Sequence, residues 1–312
     1  TDDSRLVILN ALSAKNHGAT ILTRHEVVKA QRDNDHWTVL INDKNTHEQV
    51  SVHCKAVVNA SGPWLNQNLK NALPHGSKHH IRNVKGSHIV VKKLYDEQHA
   101  YILQNKDGRI IFVIPYMNDF SLIGTTDTDY SGNLNQVEIS PTETNYLLKN
   151  TNHYFKKQIQ EEDVIWSFAG LRPLLQDSEN NPAKITREAI IDLSLAEDHR
   201  PQLPLVNLFG GKLTTHRVVA QEIMQKLKPF FPAMKDSWTS KSVLPGGDMS
   251  QWNTFLNEAK QRYAWLDKNT IKRYTSSYVT LIDKLLNYIS SIEQLGEHFG
   301  HDLYEAEVRY LL

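Results

Sequence analysis

Two glycines, a lysine and two threonines follow an apolar run and precede a helical segment, and this arrangement could bind an anionic group. Residues 208–215 read LFGGKLTT. Gly210 and Gly211 would let a ligand approach the backbone closely, and free N–H groups in the first turn of a helix attract anions. Lys212 adds a positive charge. The pattern also fits an ordinary strand–turn–helix junction with a threonine cap.

An arginine stands in an otherwise apolar stretch. Arg172 lies in GLRPL (170–174), shortly after IWSF (165–168). A guanidinium in such surroundings is costly unless it is paired. It could bind a substrate carboxylate or phosphate through two parallel hydrogen bonds, or it could pair with a carboxylate of the protein itself. The residues leave both interpretations open.

Two further segments carry weaker signals. His88 follows a glycine in VKGSHIV (84–90), and an imidazole there could accept a proton near neutral pH or be purely structural. The segment VVNASGPW (57–64) ends an apolar strand in small residues at a tight turn. Open α/β sheets place ligands at such strand ends.

Composition and missing motifs exclude several classes of function. The 312 residues are 40 % hydrophobic and carry 35 basic and 35 acidic side chains, so we expect no global nucleic-acid-binding surface. Cys54 is the only cysteine, which excludes an internal disulfide and a multi-cysteine metal site. The sequence contains no HExxH, GxxxxGK[ST] or GxSxG pattern, and we expect no metal. It also contains no apolar run long enough to span a membrane.

The elements that must position these residues follow from periodicity and turn signals. The N-terminal part predicts a helix capped by Asp3, a small antiparallel meander and a short strand followed by a helix; the predicted strands are 20–23, 27–31, 37–41, 49–53 and 56–60, and the helix is 64–73. A second β-rich block covers about 81–130, with strands predicted at 87–91, 101–104, 109–115 and 121–124.

The rest of the chain alternates strands and helices before becoming helical. Ser140 and Glu143 form a capping-box pattern that predicts a helix reaching about residue 159. Strands are then predicted at 164–168, 185–193 and 205–209, a helix at 214–227, and amphipathic helical stretches at 252–263 and 290–299. This order predicts a mixed α/β chain with a helical tail.

Seven of these segments, taken in order, resemble one family, the FAD-dependent, membrane-associated glycerol-3-phosphate dehydrogenases of the aerobic type. The matching segments are VVNASGPW (57–64), IRNVKGSHIVV (81–91), AYILQNKDGRIIFVIPYMNDFSLIGTTD (100–127), AGLRPL (169–174), ITRE (185–188), LFGGKLTTHR (208–217) and WTSKSVLPGGD (238–248). The resemblance runs through the whole chain. The family's N-terminal strand–GxGxxG–helix unit has no counterpart here, so we expect this chain to be part of a longer enzyme. Ser61 and His216 stand where the family usually has threonine and tyrosine.

The resemblance implies a partial FAD-binding Rossmann-like domain, a substrate domain built on an antiparallel sheet, and a C-terminal helical domain. The expected boundaries are 1–75 for the FAD-binding remainder, 76–200 for the β-rich substrate domain, 201–235 for the returning strand and helix, and 236–312 for the helical domain.

The resemblance also implies a reaction, the oxidation of sn-glycerol 3-phosphate to dihydroxyacetone phosphate by hydride transfer to FAD, with electrons passed to a quinone. Arg172 and Arg187 would hold the substrate phosphate, and His88 is the candidate base or proton relay. Lys212 would stabilise the reduced flavin or reach the substrate oxygen. The residues expected to bind FAD are Ser61, Gly62, Trp64, Gly210, Gly211, Lys212, Leu213, Thr214 and Thr215.

Further expectations concern location and partners. The family suggests peripheral attachment to the cytoplasmic face of the inner membrane, or a cytoplasmic location for the chain alone, and it is compatible with a homodimer. Lys268, Lys272, Arg273 and Tyr274 could form an interfacial face or a solvated helix surface. The alternatives are an oxidase that reduces oxygen, another flavin amine-oxidase-like enzyme, or an inactive remnant that acts only as a binding or assembly module.

Overall fold

The structure is a computed structural model that describes residues 2–73, 77, 79–117, 119–176, 188–195 and 203–312. The chain divides into two compact units. One comprises residues 24–234 and contains the candidate site residues that the structure describes, and the other comprises residues 1–23 together with 235–312.

The strands and helices have the following bounds. The strands are β1 (His25–Arg32), β2 (Trp37–Asp43), β3 (Gln49–Cys54), β4 (Val57–Asn59), β5 (Ile81–Lys92), β6 (Tyr101–Gln104), β7 (Ile110–Tyr116), β8 (Phe120–Gly124), β9 (Thr128–Asp129), β10 (Val164–Leu175), β11 (Ile190–Ser194), β12 (Leu205–Phe209), β13 (His298–Gly300) and β14 (Leu303–Tyr304). The helices are α1 (Asp3–Asn16), α2 (Leu65–Asn71), α3 (Pro141–Tyr154), α4 (His216–Leu227), α5 (Trp252–Arg262), α6 (Lys268–Tyr278), α7 (Ile282–Leu285) and α8 (Glu305–Leu311).

The largest sheet is antiparallel and carries most of the candidate site. Its strand order is β10–β5–β8–β7–β6, with β9 paired to one end of β5. The two long strands β5 and β10 pair along almost their full length. One face of the sheet packs against α3 around fully buried Ile89, Ile111, Ile123 and Leu147. On β10, by contrast, Trp166 is 54 % exposed, so the sheet also has an open face.

A second, smaller sheet in the same unit has the order β11–β12–β4. β4 runs parallel to β12, and β11 runs antiparallel to it. A three-stranded meander, β1–β2–β3, packs beside it. Trp37, Leu65 and Phe209 are fully buried in the core that these elements share with α2. The ends of β4 and β12 are thereby fixed next to each other, which positions the turns that follow them.

The unit formed by both ends of the chain is mainly helical and has its own core, in which Tyr274 and Ile282 are fully buried. Glu307 of α8 is 2 % exposed and accepts hydrogen bonds from Arg273 (2.5 Å) and from the Tyr278 hydroxyl (2.6 Å). Within the described residues, every helix is too short or too polar to cross a membrane.

Several predicted elements differ from the structure. Residues 20–23 form no strand, and α1 is capped by Asp2 rather than Asp3. The helix α3 ends at Tyr154 because the next residue, Phe155, has extended backbone angles. Residues 290–299 contain a short 3-10 turn and the beginning of β13 instead of a helix.

The grouping of Tyr274 with the basic residues of α6 as one surface face is also wrong. Tyr274 is fully buried, and Arg273 is engaged by Glu307. The physical reason is that this side of α6 faces the core of its own unit.

Candidate active site

The guanidinium of Arg172 is held by the segment 125–127, which follows β8. Nη1 donates hydrogen bonds to the Thr126 carbonyl (3.2 Å) and to Asp127 Oδ1 (3.0 Å), and Nη2 donates to Thr125 Oγ1 (2.8 Å). The sequence left open whether this arginine pairs internally, and the structure shows that it does. The side chain still keeps 25 % of its surface exposed. Its orientation is therefore fixed while part of it faces solvent.

The segment that holds Arg172 is anchored from behind by Glu143, a buried carboxylate in the first turn of α3. Glu143 Oε1 accepts a hydrogen bond from Thr126 Oγ1 (2.8 Å), and Oε2 forms an ion pair with Lys85 Nζ (2.7 Å). Burial raises the pKa of Glu143, but hydrogen bonds from Lys85, Ser140 and Thr126 outweigh it and hold the pKa at about 2. Glu143 is therefore ionised at neutral pH and ties α3 to β5 and to the Arg172 site.

His88 lies on β5, and its ring is stacked on Phe168 of β10. The ring centroids are 4.9 Å apart, and the planes differ by 9°. Burial, together with the positive charge of Arg172, lowers the pKa of His88 to about 4. Nδ1 is buried and has no hydrogen-bond partner among the described residues. The imidazole is thus neutral at pH 7 and is able to accept a proton.

Two glycines make room for these two side chains. A Cβ atom at Gly124 would overlap the ring of His88, and one at Gly86 would overlap the guanidinium of Arg172. Each glycine lies on a strand next to the one that carries the larger side chain. Glycine is therefore required here by close packing within the site.

The turn after β12 contains the two glycines that the sequence singled out. Gly210 and Gly211 have φ angles of +66° and +91°, which other residues rarely adopt. A Cβ atom at Gly210 would lie 3.7 Å from the carbonyl oxygen of Pro173. The turn therefore passes beside the backbone that immediately follows Arg172. Lys212 is exposed and precedes a 3-10 turn, Leu213–Thr215, before α4 begins.

The turn after β4 lies beside the same strands. Asn83 of β5 donates a hydrogen bond from Nδ2 to the Pro63 carbonyl (3.1 Å), and the turn Gly62–Trp64 lies next to β10. Ser61 Oγ donates to Asn59 Oδ1 (2.6 Å). Gly62 has a φ of +55°, and no described atom lies within 4 Å of its Cβ position. The backbone at this turn is therefore open to a ligand.

The structure thus brings together most of the predicted site residues. Arg172 lies near the turns 61–64 and 210–215. His88 is close enough to Arg172 that the positive charge of the guanidinium lowers the pKa of the imidazole. Arg187 lies outside the described residues. Open glycine backbone lets a flat ring approach closely, and turn N–H groups can donate hydrogen bonds to carbonyl and phosphate oxygens, which fits a cofactor such as FAD.

Sequence reasoning missed the residues that hold Arg172 and His88 in place. Asp127 lies 45 residues before Arg172, and Phe168 was seen only as part of an apolar run. The one local sequence signal for these supporting residues was the capping-box pattern, which contains Glu143. Among the residues that the structure describes, there is no cluster of three or more His, Cys, Asp or Glu side chains able to hold a metal ion.

The chain belongs to the FAD dependent oxidoreductase family, whose family model matches residues 1–234. The fold is therefore that of an FAD-dependent enzyme, and the cofactor is FAD. This finding confirms the predicted cofactor and the mixed α/β fold class.

Individual relatives make the similarity more specific. The chain is 44 % identical over 311 residues to a glycerol-3-phosphate dehydrogenase of Pseudomonas aeruginosa, covering 99 % of this chain and 60 % of that protein. It is 41 % identical over 313 residues to a D-erythritol 1-phosphate dehydrogenase of Brucella abortus, covering 100 % of this chain and 62 % of that protein. The chain thus spans about three-fifths of the length of these relatives.

Among solved structures, the chain is similar to a glycerol-3-phosphate dehydrogenase of Bacillus halodurans in complex with FAD. The TM-score is 0.80 at 27 % sequence identity, and the match covers 92 % of this chain and 56 % of that one. The resemblance inferred from the seven sequence segments is confirmed by these comparisons.

Proposed function

We propose that the protein oxidises sn-glycerol 3-phosphate to dihydroxyacetone phosphate with FAD. The observation that carries the proposal is that two complementary groups lie near each other on one sheet. One is the guanidinium of Arg172, which Asp127 fixes in place and which is partly exposed, and the other is the neutral imidazole of His88. A guanidinium suits a phosphate dianion, and a neutral imidazole suits the proton of an alcohol. The names of the relatives support the same substrate.

Each residue has a stated task in this proposal. Arg172 and Arg187 bind the substrate phosphate, and His88 accepts the proton of the C2 hydroxyl as the carbonyl forms. Lys212 stabilises negative charge near the cofactor or contacts the substrate oxygen. Ser61, Gly62 and Trp64, together with residues 210–215, hold FAD. When bound, FAD supplies the acceptor for the hydride that leaves C2.

The test begins with the visible absorbance spectrum of the chain after incubation with FAD and desalting. A retained flavin band near about 450 nm is expected, and anaerobic addition of sn-glycerol 3-phosphate should bleach it. Arg172→Ala should retain the band and lose the bleaching at low substrate concentration. Arg109→Ala is the matched control, since Arg109 also pairs with an aspartate but lies on a distant hairpin. Bleaching that is identical in both variants contradicts the assignment.

A second substrate is supported by a specific observation, the 41 % identity to a D-erythritol 1-phosphate dehydrogenase. Both compounds are polyol monophosphates, and they differ by one carbon. The same bleaching experiment with D-erythritol 1-phosphate decides between them. The ratio of the two kcat/KM values gives the preference, and bleaching by the longer compound alone would replace the proposed substrate.

We also propose that the electrons pass to a membrane quinone, and that the protein binds peripherally at the cytoplasmic face of the inner membrane as a homodimer. These proposals rest on the family resemblance. Turnover with a soluble quinone analogue should exceed the rate of peroxide formation in air. Cosedimentation with anionic vesicles tests membrane binding, and light scattering after gel filtration tests the dimer. Peroxide formation as the faster reaction would favour an oxidase.

A further inference from the structure

Gly170 lies in the middle of β10, where glycine is unfavourable. Gly86 stands directly opposite it on β5. Glycine inside a strand loses more conformational entropy on folding than other residues and offers no side chain for packing. A glycine in such a position calls for a physical reason, and the neighbouring glycines have one: Gly86 and Gly124 accommodate the side chains of Arg172 and His88.

Neither the backbone nor the packing of the described residues provides a reason at Gly170. Its φ angle is outside the left-handed region, so an alanine could adopt the same backbone conformation. No described atom lies within 4 Å of its Cβ position. The residue is exposed, although its cross-strand partner Gly86 is buried. A methyl group at position 170 would therefore fit within this chain.

The space above Gly170 lies between the imidazole of His88 and the guanidinium of Arg172, the two groups that act on the substrate in the proposed function. Side chains two residues apart in a strand point to the same face, and the β5–β10 register is regular from Trp166 onwards. Phe168, Gly170 and Arg172 therefore share a face, with His88 stacked on Phe168. On one side of the bare backbone is a neutral imidazole, and on the other is a guanidinium.

We infer that Gly170 is a specificity-determining residue that leaves room for the carbon chain of a small polyol monophosphate. The inference rests on the proposed function. The phosphate binds at Arg172, the C2 carbinol carbon faces His88, and the C3 methylene group that joins the two lies against the backbone of Gly170. A side chain at this position takes up the space that the carbon chain needs, while Arg172 remains in place.

The test compares two ligands that differ only in the carbon chain. The FAD-loaded chain and its Gly170→Ala variant are titrated calorimetrically with sn-glycerol 3-phosphate and, separately, with inorganic phosphate. We expect the variant to bind sn-glycerol 3-phosphate about tenfold or more weakly, since overpacking a filled site is unfavourable, and to bind inorganic phosphate as the wild type does. Its melting temperature should stay within about 1 °C of the wild type. Gly170→Val should weaken the binding of sn-glycerol 3-phosphate further.

A control variant adds a methyl group at an exposed strand position away from the site, Ser51→Thr on β3, and should change neither affinity. Unchanged binding of sn-glycerol 3-phosphate to Gly170→Ala overturns the inference while leaving the proposed function intact. An equal loss for both ligands also overturns it, because it shows that Arg172 has moved. A lowered melting temperature overturns it as well, since the fold itself then requires glycine. If the wild type does not bind sn-glycerol 3-phosphate, the proposed function fails and the inference fails with it.

Discussion

Replacing Glu143 by glutamine should destabilise the unit formed by residues 24–234, specifically where α3 meets β5. The carboxylate is 6 % exposed and accepts hydrogen bonds from Ser87 Oγ (3.0 Å) and Thr126 Oγ1 (2.8 Å) in addition to its ion pair with Lys85. Glutamine has nearly the same shape but no charge, and it leaves the ammonium group of Lys85 buried beside a neutral amide.

The expected magnitude follows from the pKa of Glu143. The folded value is about 2, against 4.5 for the unperturbed group. Each unit of difference corresponds to about 1.4 kcal/mol, so ionisation of Glu143 contributes about 3 kcal/mol to the free energy of unfolding. Removing one partner of a buried ion pair typically costs about 3–5 kcal/mol, which agrees with this value. Because the folded pKa is lowered, the contribution is complete above about pH 4.5 and is lost as the pH falls towards 2.

Hydrogen exchange measured by mass spectrometry gives the local free energy of opening. At pH 7, amides of β5 and α3 should exchange on the order of 100-fold faster in Glu143→Gln than in the wild type, after correction for intrinsic rates. The difference should shrink to about tenfold at pH 3, because ionisation of Glu143 then contributes less than half of its free energy at pH 7. Glu162→Gln, at an exposed position in the same unit, is the matched control. A difference below about fivefold at pH 7, or one that does not change with pH, refutes the reasoning.

The remaining predictions concern the site and the helical unit. Arg172→Ala should raise KM for sn-glycerol 3-phosphate about 10- to 100-fold, because a charge-assisted hydrogen bond is worth about 1.5–3 kcal/mol, and steady-state kinetics measures this; an unchanged KM contradicts the phosphate role. At saturating substrate, kcat should fall only below about pH 4, where His88 becomes charged, and a kcat that already declines near about pH 6.5 would exclude His88 as the base; kcat is the quantity to follow because kcat/KM also reports the second ionisation of the free substrate's phosphate, near about pH 6. Gly124→Ala should displace the His88 ring and lower kcat, and the imidazole resonances in an NMR spectrum should shift; retained activity and unshifted resonances would count against the stacked position. Glu307→Gln should destabilise the helical unit by about 3 kcal/mol, because Arg273 loses its buried partner, and hydrogen exchange in α8 measures the loss; equal exchange in variant and wild type contradicts it.

Local signals in the sequence predicted local structure well. The sequence SPTE beginning at Ser140 predicted the start of α3, and the capping box is present, with the Ser140 amide donating to Glu143 Oε2 (2.9 Å). The strands at 101–104 and 205–209 have the predicted bounds. These features depend on residues a few positions apart, so a single segment contains the information.

Long-range pairing explains what could not be predicted. β10 continues to Leu175 although Gly170 and Pro173 interrupt its apolar pattern, because β5 pairs with it along its length. The partner of Arg172, Asp127, lies on a segment that only the sheet brings near. The need for a partner could therefore be predicted from the apolar surroundings, but the identity of that partner could not.

The aromatic stack on the open face of the sheet allows the site to be monitored by intrinsic tryptophan fluorescence, without an added label. Trp166 is 54 % exposed, and its ring centroid lies 5.1 Å from that of Phe168, which in turn stacks on His88. The indole therefore reports on the neighbourhood of the imidazole through its fluorescence, and a bound flavin would quench it by energy transfer. The difference between the wild type and Trp166→Phe isolates this signal from the other five of the six tryptophans. The protein thus carries its own optical probe for following ligand arrival in stopped-flow experiments.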